Sequence, residues 1–354
     1  MRISVQDLTK TAESILVALG ASLEESRLVA EGLIRADLRG VPTHGVTFLV
    51  KIASRVENGV LDLPTTVTEL SRSGATALLD GGNGLGQVAA NKAMRTSIDL
   101  AREYGVGFVL VRNTNHIGVL ASYTQMAARE GMLGICMCNA AAAIAPTGSA
   151  EPFMGTNPMS LALPCGDGQP ILFDMSTSVV ARGKIRRALA TGDQIPTGWA
   201  IDETGKPTCD PAEAMKGTLL PVGGPKGYAL ALFIDLICGM LSGSKYGKDV
   251  LSFHKPLGPT GVGVMTMAVD IRRFMPLENF HELIKSHATK IRNSKKASGC
   301  SRVYLPGEIE AERESVNRTA GVELDAYVVD DIVSLLGRLK LSVPEHLEGE
   351  LCKK

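Results

Sequence analysis

The chain carries no excess charge of either sign, with 37 basic against 37 acidic side chains. It therefore lacks the electrostatic footprint needed to bind nucleic acid or an anionic membrane surface. It also lacks a long apolar run. The greasiest stretch, Tyr228 to Leu241, is about 14 residues long and carries Asp235, whereas a bilayer needs roughly 20. The N-terminal sequence has neither the basic start nor the continuous apolar centre of a signal peptide, so a cytoplasmic location is expected by default. A disulfide framework is absent as well. The seven cysteines (Cys136, Cys138, Cys165, Cys209, Cys238, Cys300, Cys352) are an odd, scattered set in a chain of 354 residues and read as reduced thiols. Cys136 and Cys138 form a C-x-C inside an apolar run, with no second ligand pair nearby, so a buried strand is expected there and no metal site. Balanced charge and 45% hydrophobic residues exclude disorder, and the length suits roughly two domains.

Helical periodicity opens the chain. Leu8, Ala12, Ile15, Leu16 and Leu19 recur at helical spacing up to Gly20, and Ser22 with Glu25 has the form of a capping box that starts a second helix reaching Leu38. A third amphipathic segment runs from Gly45 to Asn58. From about residue 65 the texture becomes short β segments between glycines: Thr65 to Ser71, Ala75 to Asp80, Gly107 to Arg112, Gly134 to Asn139, Pro158 to Leu163 and Pro170 to Met175. Helical stretches at Val88 to Tyr104 and Leu120 to Glu130 alternate with them, which implies a mixed α/β layer. Gly227 to Gly243 reads as a buried helix and Gly261 to Asp270 as a strand. Helices follow at Leu277 to Arg292, Pro306 to Thr319 and Asp330 to Leu339. The expected division is a helical N-terminal segment over 1–70, a mixed domain over 71–308, and C-terminal helices over 309–354 that pack with the N-terminal segment.

Two of the six histidines stand in polar, loop-like surroundings where an imidazole can reach a ligand. His44 follows a helix end within Arg39-Gly40-Val41-Pro42-Thr43-His44-Gly45. His116 follows a β run within Asn113-Thr114-Asn115-His116-Ile117-Gly118. From local sequence alone the plainer reading of each is a turn histidine, solvated or bonded to its own backbone. His254, His281, His287 and His346 lie in helical or tail segments and read as surface or packing residues. The glycine turn from Gly81 to Gly86 meets only a loose dinucleotide pattern, G-x-G-x-x-A, and a plain turn before the next helix is the stronger reading. Gly223-Gly224-Pro225-Lys226-Gly227 is a better phosphate candidate, because a lysine stands beside backbone N–H groups at a helix start. Arg182-Gly183-Lys184-Ile185-Arg186-Arg187 packs four cations into six residues and reads by itself as a solvated face.

Taken in order, His44, His116, Gly155-Thr156-Asn157-Pro158, Phe173-Asp174-Met175-Ser176 and Gly224-Pro225-Lys226-Gly227-Tyr228 resemble the type-2 malate/L-lactate dehydrogenase family. The resemblance implies NAD- or NADP-dependent hydride transfer between a 2-hydroxy acid and its 2-oxo acid by a homodimer. It implies an α+β chain: a cofactor fold that is not Rossmann, built on a largely antiparallel sheet, beside a helical domain formed by both chain ends. It assigns His44, Thr43 and His116 to catalysis, with His44 favoured as the acid/base, Thr43 orienting it, and His116 as the alternative proton donor. It assigns Asp174, Met175, Ser176, Lys184, Pro225, Lys226, Pro306, Gly307 and Glu308 to the cofactor and Thr156 to the substrate side, where Phe48 and Arg182 are further candidates from the residues themselves. An acid with a pKa near 7 suits the alkoxide that hydride transfer creates, and histidine meets that need without strong perturbation.

One position departs from the family. Many relatives carry an arginine four residues after the first histidine and a tyrosine four further on, the arginine clamping the substrate carboxylate; here these are Phe48 and Ile52. Lys51, Arg55 and Arg182 are the cations left to hold a carboxylate from another direction. A cyclic-imine reductase of the piperideine- or pyrroline-carboxylate type and a catalytically degenerate cofactor-binding protein are the alternative readings. Phe48→Arg is expected to change relative rates across a panel of 2-oxo acids more than it changes stability.

Overall fold

A computed structural model describes residues 1–166 and 169–348. Its centre is a seven-stranded sheet in the order Thr68–Ser73, Thr76–Asp80, Val106–Thr114, Val262–Asp270, Met132–Cys138, Met159–Leu163, Ile171–Met175. Every neighbouring pair is antiparallel except Thr76–Asp80 with Val106–Thr114. That pair is parallel because helix Gly86–Tyr104 supplies the crossover a parallel connection needs. Burial along Met132–Cys138 alternates residue by residue, and Cys136 and Cys138 both point inward as buried thiols. The C-x-C is thus the period of a strand. Cys352 lies outside the described residues. Among those residues no group of three His, Cys, Asp or Glu side chains could hold a metal.

Helices Gly86–Tyr104 and Ala121–Arg129 cover one face of the sheet, burying Ala89, Ala90, Ala93, Met94, Ala101 and Ala127 against Val109, Val111, Cys136 and Val264. The other face carries helix Pro225–Asp235, which continues as a π turn over Leu236–Leu241. Ile234 and Cys238 pack on Leu110 and Met265. The segment expected as a buried helix is buried in part. It lies on the sheet by one side only and leaves Phe233 63% and Leu241 65% exposed, with Leu230 and Met240 beside them. No helix among the described residues is long and apolar enough to cross a membrane.

The chain ends share a second core. Leu8, Ile15, Leu16, Val29, Leu33, Leu49 and Ile52 from the first three helices pack with Val329, Ile332 and Leu336 of helix Ala326–Arg338. Strand Arg2–Ile3 pairs with Val322–Glu323. The Ser22 and Glu25 capping box is formed in both directions. A small sheet of Thr218–Leu219, Ala200–Ile201 and Pro207–Thr208, with helix Arg182–Thr191, makes a third unit. Its strands are two residues long, too short to leave a periodic signal in the sequence.

The fully buried Ile332 tests the shared core. Ile332→Ala is expected to destabilise the chain by about 2 to 5 kcal/mol, the cost of emptying a packed aliphatic site. Urea denaturation checks this, and a loss below about 1 kcal/mol would show that the C-terminal helix does not share the N-terminal core.

Candidate active site

Two backbone features deliver the two histidines. Helix Leu23–Leu38 ends in the 3-10 turn Pro42–His44, and the carboxylate of Asp37 reaches across to accept the Val46 N–H at 2.9 Å. Gly45 makes room for it, since a Cβ there would sit 1.9 Å from Asp37 Oδ1. Thr43 Oγ1 lies 3.0 Å from His44 Nδ1. The other histidine follows strand Val106–Thr114. Buried Asn115 donates its amide to the carbonyls of Asn83 at 2.8 Å and Gly84 at 2.9 Å, and accepts from Thr260 Oγ1 at 2.9 Å. Gly86 lies so close beneath this loop that a Cβ would meet the Asn115 carbonyl at 2.3 Å. The glycine turn is therefore the bed of the His116 loop. His116 Nδ1 accepts the Gly118 N–H at 3.2 Å, so the neutral ring carries its proton on Nε2.

The rings come together. His44 and His116 are 5.2 Å apart between centroids, and Phe48 stacks on His116 at 4.2 Å. Phe253 stands 5.7 Å from Phe48 and from His116, and His254 stands 5.9 Å from Phe48. Lys51 places its ammonium 4.0 Å over the Phe48 ring. Fully buried Arg55 holds the Phe253 loop from behind, donating to the carbonyls of Val60 at 3.2 Å and Gly258 at 2.7 Å.

Charge in this cluster is one-sided. Burial, helped by Lys51, lowers the His44 pKa to about 4. Burial, then His44, His254 and Lys51, puts His116 well below its ordinary value. His254 falls to about 4 through the protein packed around it and then Lys51, Arg186 and His44. Lys51 drops to about 8 through burial and then Arg186. None of the charged neighbours acting on these four groups is acidic. Near neutral pH the arrangement is three neutral imidazoles beside cations, which favours an anionic ligand; that ligand would in turn raise the histidine pKa values.

The family model described as malate/L-lactate dehydrogenase matches residues 3–333. The chain belongs to the malate/L-lactate dehydrogenase family. It is 37% identical to a malate dehydrogenase of Pyrococcus abyssi over 347 residues, 96% of this chain and 95% of that one. It is 34% identical to the ureidoglycolate dehydrogenase (NAD(+)) of Escherichia coli strain K12 over 338 residues, 95% of each. The solved sulfolactate dehydrogenase of Methanocaldococcus jannaschii superposes with a TM-score of 0.91 at 34% identity, covering 97% of this chain and 98% of that one.

Most of the residues that the family resemblance assigns to the cofactor lie on or beside strand Ile171–Met175 and the segment that follows it. Asp174 and Met175 end the edge strand Ile171–Met175, and Ser176 follows with its hydroxyl 3.0 Å from Ser178 Oγ. The Asp174 carboxylate accepts the Ala121 N–H at 2.7 Å, at the start of the helix after the His116 loop. Desolvation raises its pKa to about 6. Pro306 is held to the same strand, its carbonyl accepting the Leu172 N–H at 3.1 Å. Gly307 packs on Leu172 as well, while the carboxylate of Glu308 pairs with Arg292 at 2.7 Å and Arg302 at 3.4 Å. The Thr156 carbonyl accepts the Thr177 N–H, and the Thr177 carbonyl accepts the Val222 N–H. These two bonds bring Thr156 and Ser176 beside the Gly223-Gly224 turn, where Pro225 and Lys226 begin their helix. Lys184 and Arg182 open helix Arg182–Thr191, whose Gly183 faces Thr43: a Cβ there would lie 2.9 Å from Thr43 Cγ2.

Three expectations change. Phe48 is only 3% exposed and belongs to the N-terminal core, so Phe48→Arg would bury a second cation beside Lys51 and is now expected to cost stability as well. Arg55 is committed to backbone carbonyls and does not face the histidines as a carboxylate holder. His254 joins the ring cluster although its surroundings in sequence are unremarkable. Asp37, Phe253 and Arg186 were also missed, because what marks them is contact across the chain and no local pattern.

Asp37 offers a measurable consequence. Burial raises its pKa from 3.8 to about 7, against the opposing pull of the Val46 N–H. Its bound proton adds stability at low pH, and that contribution is lost as pH rises through about 7. Urea denaturation from pH 5 to 8 is expected to show wild-type stability falling more steeply with pH than that of Asp37→Asn. Parallel profiles would mean that Asp37 is ionised throughout.

Proposed function

We propose that this chain is an NAD- or NADP-dependent oxidoreductase that moves a hydride between nicotinamide and a 2-hydroxy acid/2-oxo acid pair. The observation that carries this reading is the pairing of two imidazoles, His44 and His116, whose rings lie 5.2 Å apart with the Lys51 cation acting on both. The nicotinamide supplies the hydride when bound; the chain supplies proton handling and orientation. In the oxidative direction a neutral imidazole is ready to accept the hydroxyl proton. In reduction, His116 presents Nε2–H toward the oxo group while His44, steered by Thr43, delivers the proton once the substrate anion has raised its pKa. Lys226 and the N–H groups after Gly224, whose φ is 60°, suit a pyrophosphate, and the open position above Gly224, where a Cβ would meet nothing within 4 Å, leaves room for one.

This reading takes the cofactor on a fold that is not Rossmann, and the support is a sheet with a single parallel pair. A helical N-terminal segment with the C-terminal helices forms the second domain, supported by their common core. A homodimer is favoured by the contiguous apolar exposure of Leu230, Phe233, Met240 and Leu241. Buried thiols at Cys136, Cys138 and Cys238 accord with a cytoplasmic setting.

Titration with NADH and NADPH, read by nicotinamide fluorescence, selects the cofactor, and a panel of 2-oxo acids and cyclic imines then follows its oxidation. Turnover of 2-oxo acids is expected, with His44→Ala and His116→Ala each lowering kcat by about 100-fold or more. Losses below roughly threefold in both variants, far short of that range, would overturn the assignment. Turnover of imines alone would make the chain a cyclic-imine reductase, and saturable binding without turnover would make it a degenerate cofactor-binding protein.

A further inference from the structure

Three cations were left to hold a carboxylate once position 48 proved to be phenylalanine, and their surroundings separate them. Arg55 is fully buried and donates to Val60, Lys255 and Gly258 carbonyls. Arg182 sends one guanidinium nitrogen to the Gly217 carbonyl at 2.9 Å. Lys51 is different. It projects from helix Phe48–Glu57 over the Phe48 ring. The charged or titratable groups that face it are His44 from its turn, His116 from the strand-end loop, His254 from its loop and Arg186 from helix Arg182–Thr191. None is acidic. A half-buried ammonium among cations and neutral rings is unfavourable unless an anion arrives to pair with it.

Resting on the 2-oxo acid reading, we propose that Lys51, backed by Arg186, is the specificity-determining anchor for the substrate carboxylate. The anchor stands about one helical turn beyond position 48, with the Phe48 ring as its floor. The ring fixes the ammonium through its π face. A lysine is a point charge without the planar fork of arginine, so it holds the carboxylate by charge-assisted contact and leaves its rotation to His44 and His116. The anchor works only while protonated. Because burial and then Arg186 lower Lys51 to about 8, carboxylate capture weakens as pH rises above that value.

Steady-state kinetics of the full chain with its selected cofactor test this, comparing wild type, Lys51→Met and Lys51→Arg from pH 6 to 10. Lys51→Met is expected to raise the 2-oxo acid KM roughly 10- to 100-fold, the size of a lost bond to a charged group, while kcat changes far less. Lys51→Arg is expected to recover most of the KM and move the alkaline limb to higher pH. An unchanged KM in Lys51→Met would overturn the anchor. So would a weakened NADH or NADPH affinity in the fluorescence titration with the acid KM intact, since the ammonium would then belong to a cofactor phosphate. Calorimetric titration of the cofactor-loaded protein with oxalate gives a readout free of turnover: binding that Lys51→Met abolishes supports the anchor, and equal or absent binding in both proteins overturns it. Wild type that binds oxalate but reduces no 2-oxo acid would overturn the functional reading while leaving the anchor standing.

Discussion

The two histidines come from different layers of the molecule, and their meeting depends on the buried amide of Asn115. It ties the carbonyls of Asn83 and Gly84 to the loop that bears His116, and its own oxygen accepts from Thr260 at the approach to strand Val262–Asp270. A buried amide satisfied on both sides allows little alternative geometry. With the strand-end loop held in this way, the turn of the helical layer can bring His44 to within a ring's width of His116.

Tight packing around that seam follows from small residues. A chain with 4% aromatic residues covers its sheet with alanine-rich helices, and glycines let backbone lie on backbone or on a carboxylate, as Gly86 does under Asn115 and Gly45 does against Asp37. Two of the aromatics that occur, Phe48 and Phe253, stand with the histidines. Desolvation is the largest cause of the low histidine pKa values.

Two carboxylates brace the histidine loops from outside the ring cluster. Asp37 holds the His44 turn through Val46, and Asp174 holds the helix start that follows the His116 loop through Ala121. Asp37 has a raised pKa because burial outweighs the bond it accepts, and that of Asp174, which stands on an exposed position of its strand, is raised as well. Both act through the hydrogen bonds they accept, and neither is among the charged neighbours that act on Lys51.

Much was legible in the sequence by itself. Helical periodicity, the Ser22 capping box, the strand period at Cys136 and Cys138, and the polar loops of His44 and His116 all depend on neighbours a few residues apart, and local sequence records such relations. The family resemblance rested on short motifs kept in order along the chain. Only tertiary structure decided that Phe48 is core, that Arg55 serves backbone carbonyls, that the helix after Pro225 lies half open, and that His254 and Arg186 share surroundings with Lys51. These facts depend on contacts between segments far apart in the chain, such as Arg55 with Lys255, and burial and charge balance exist only once those segments have met.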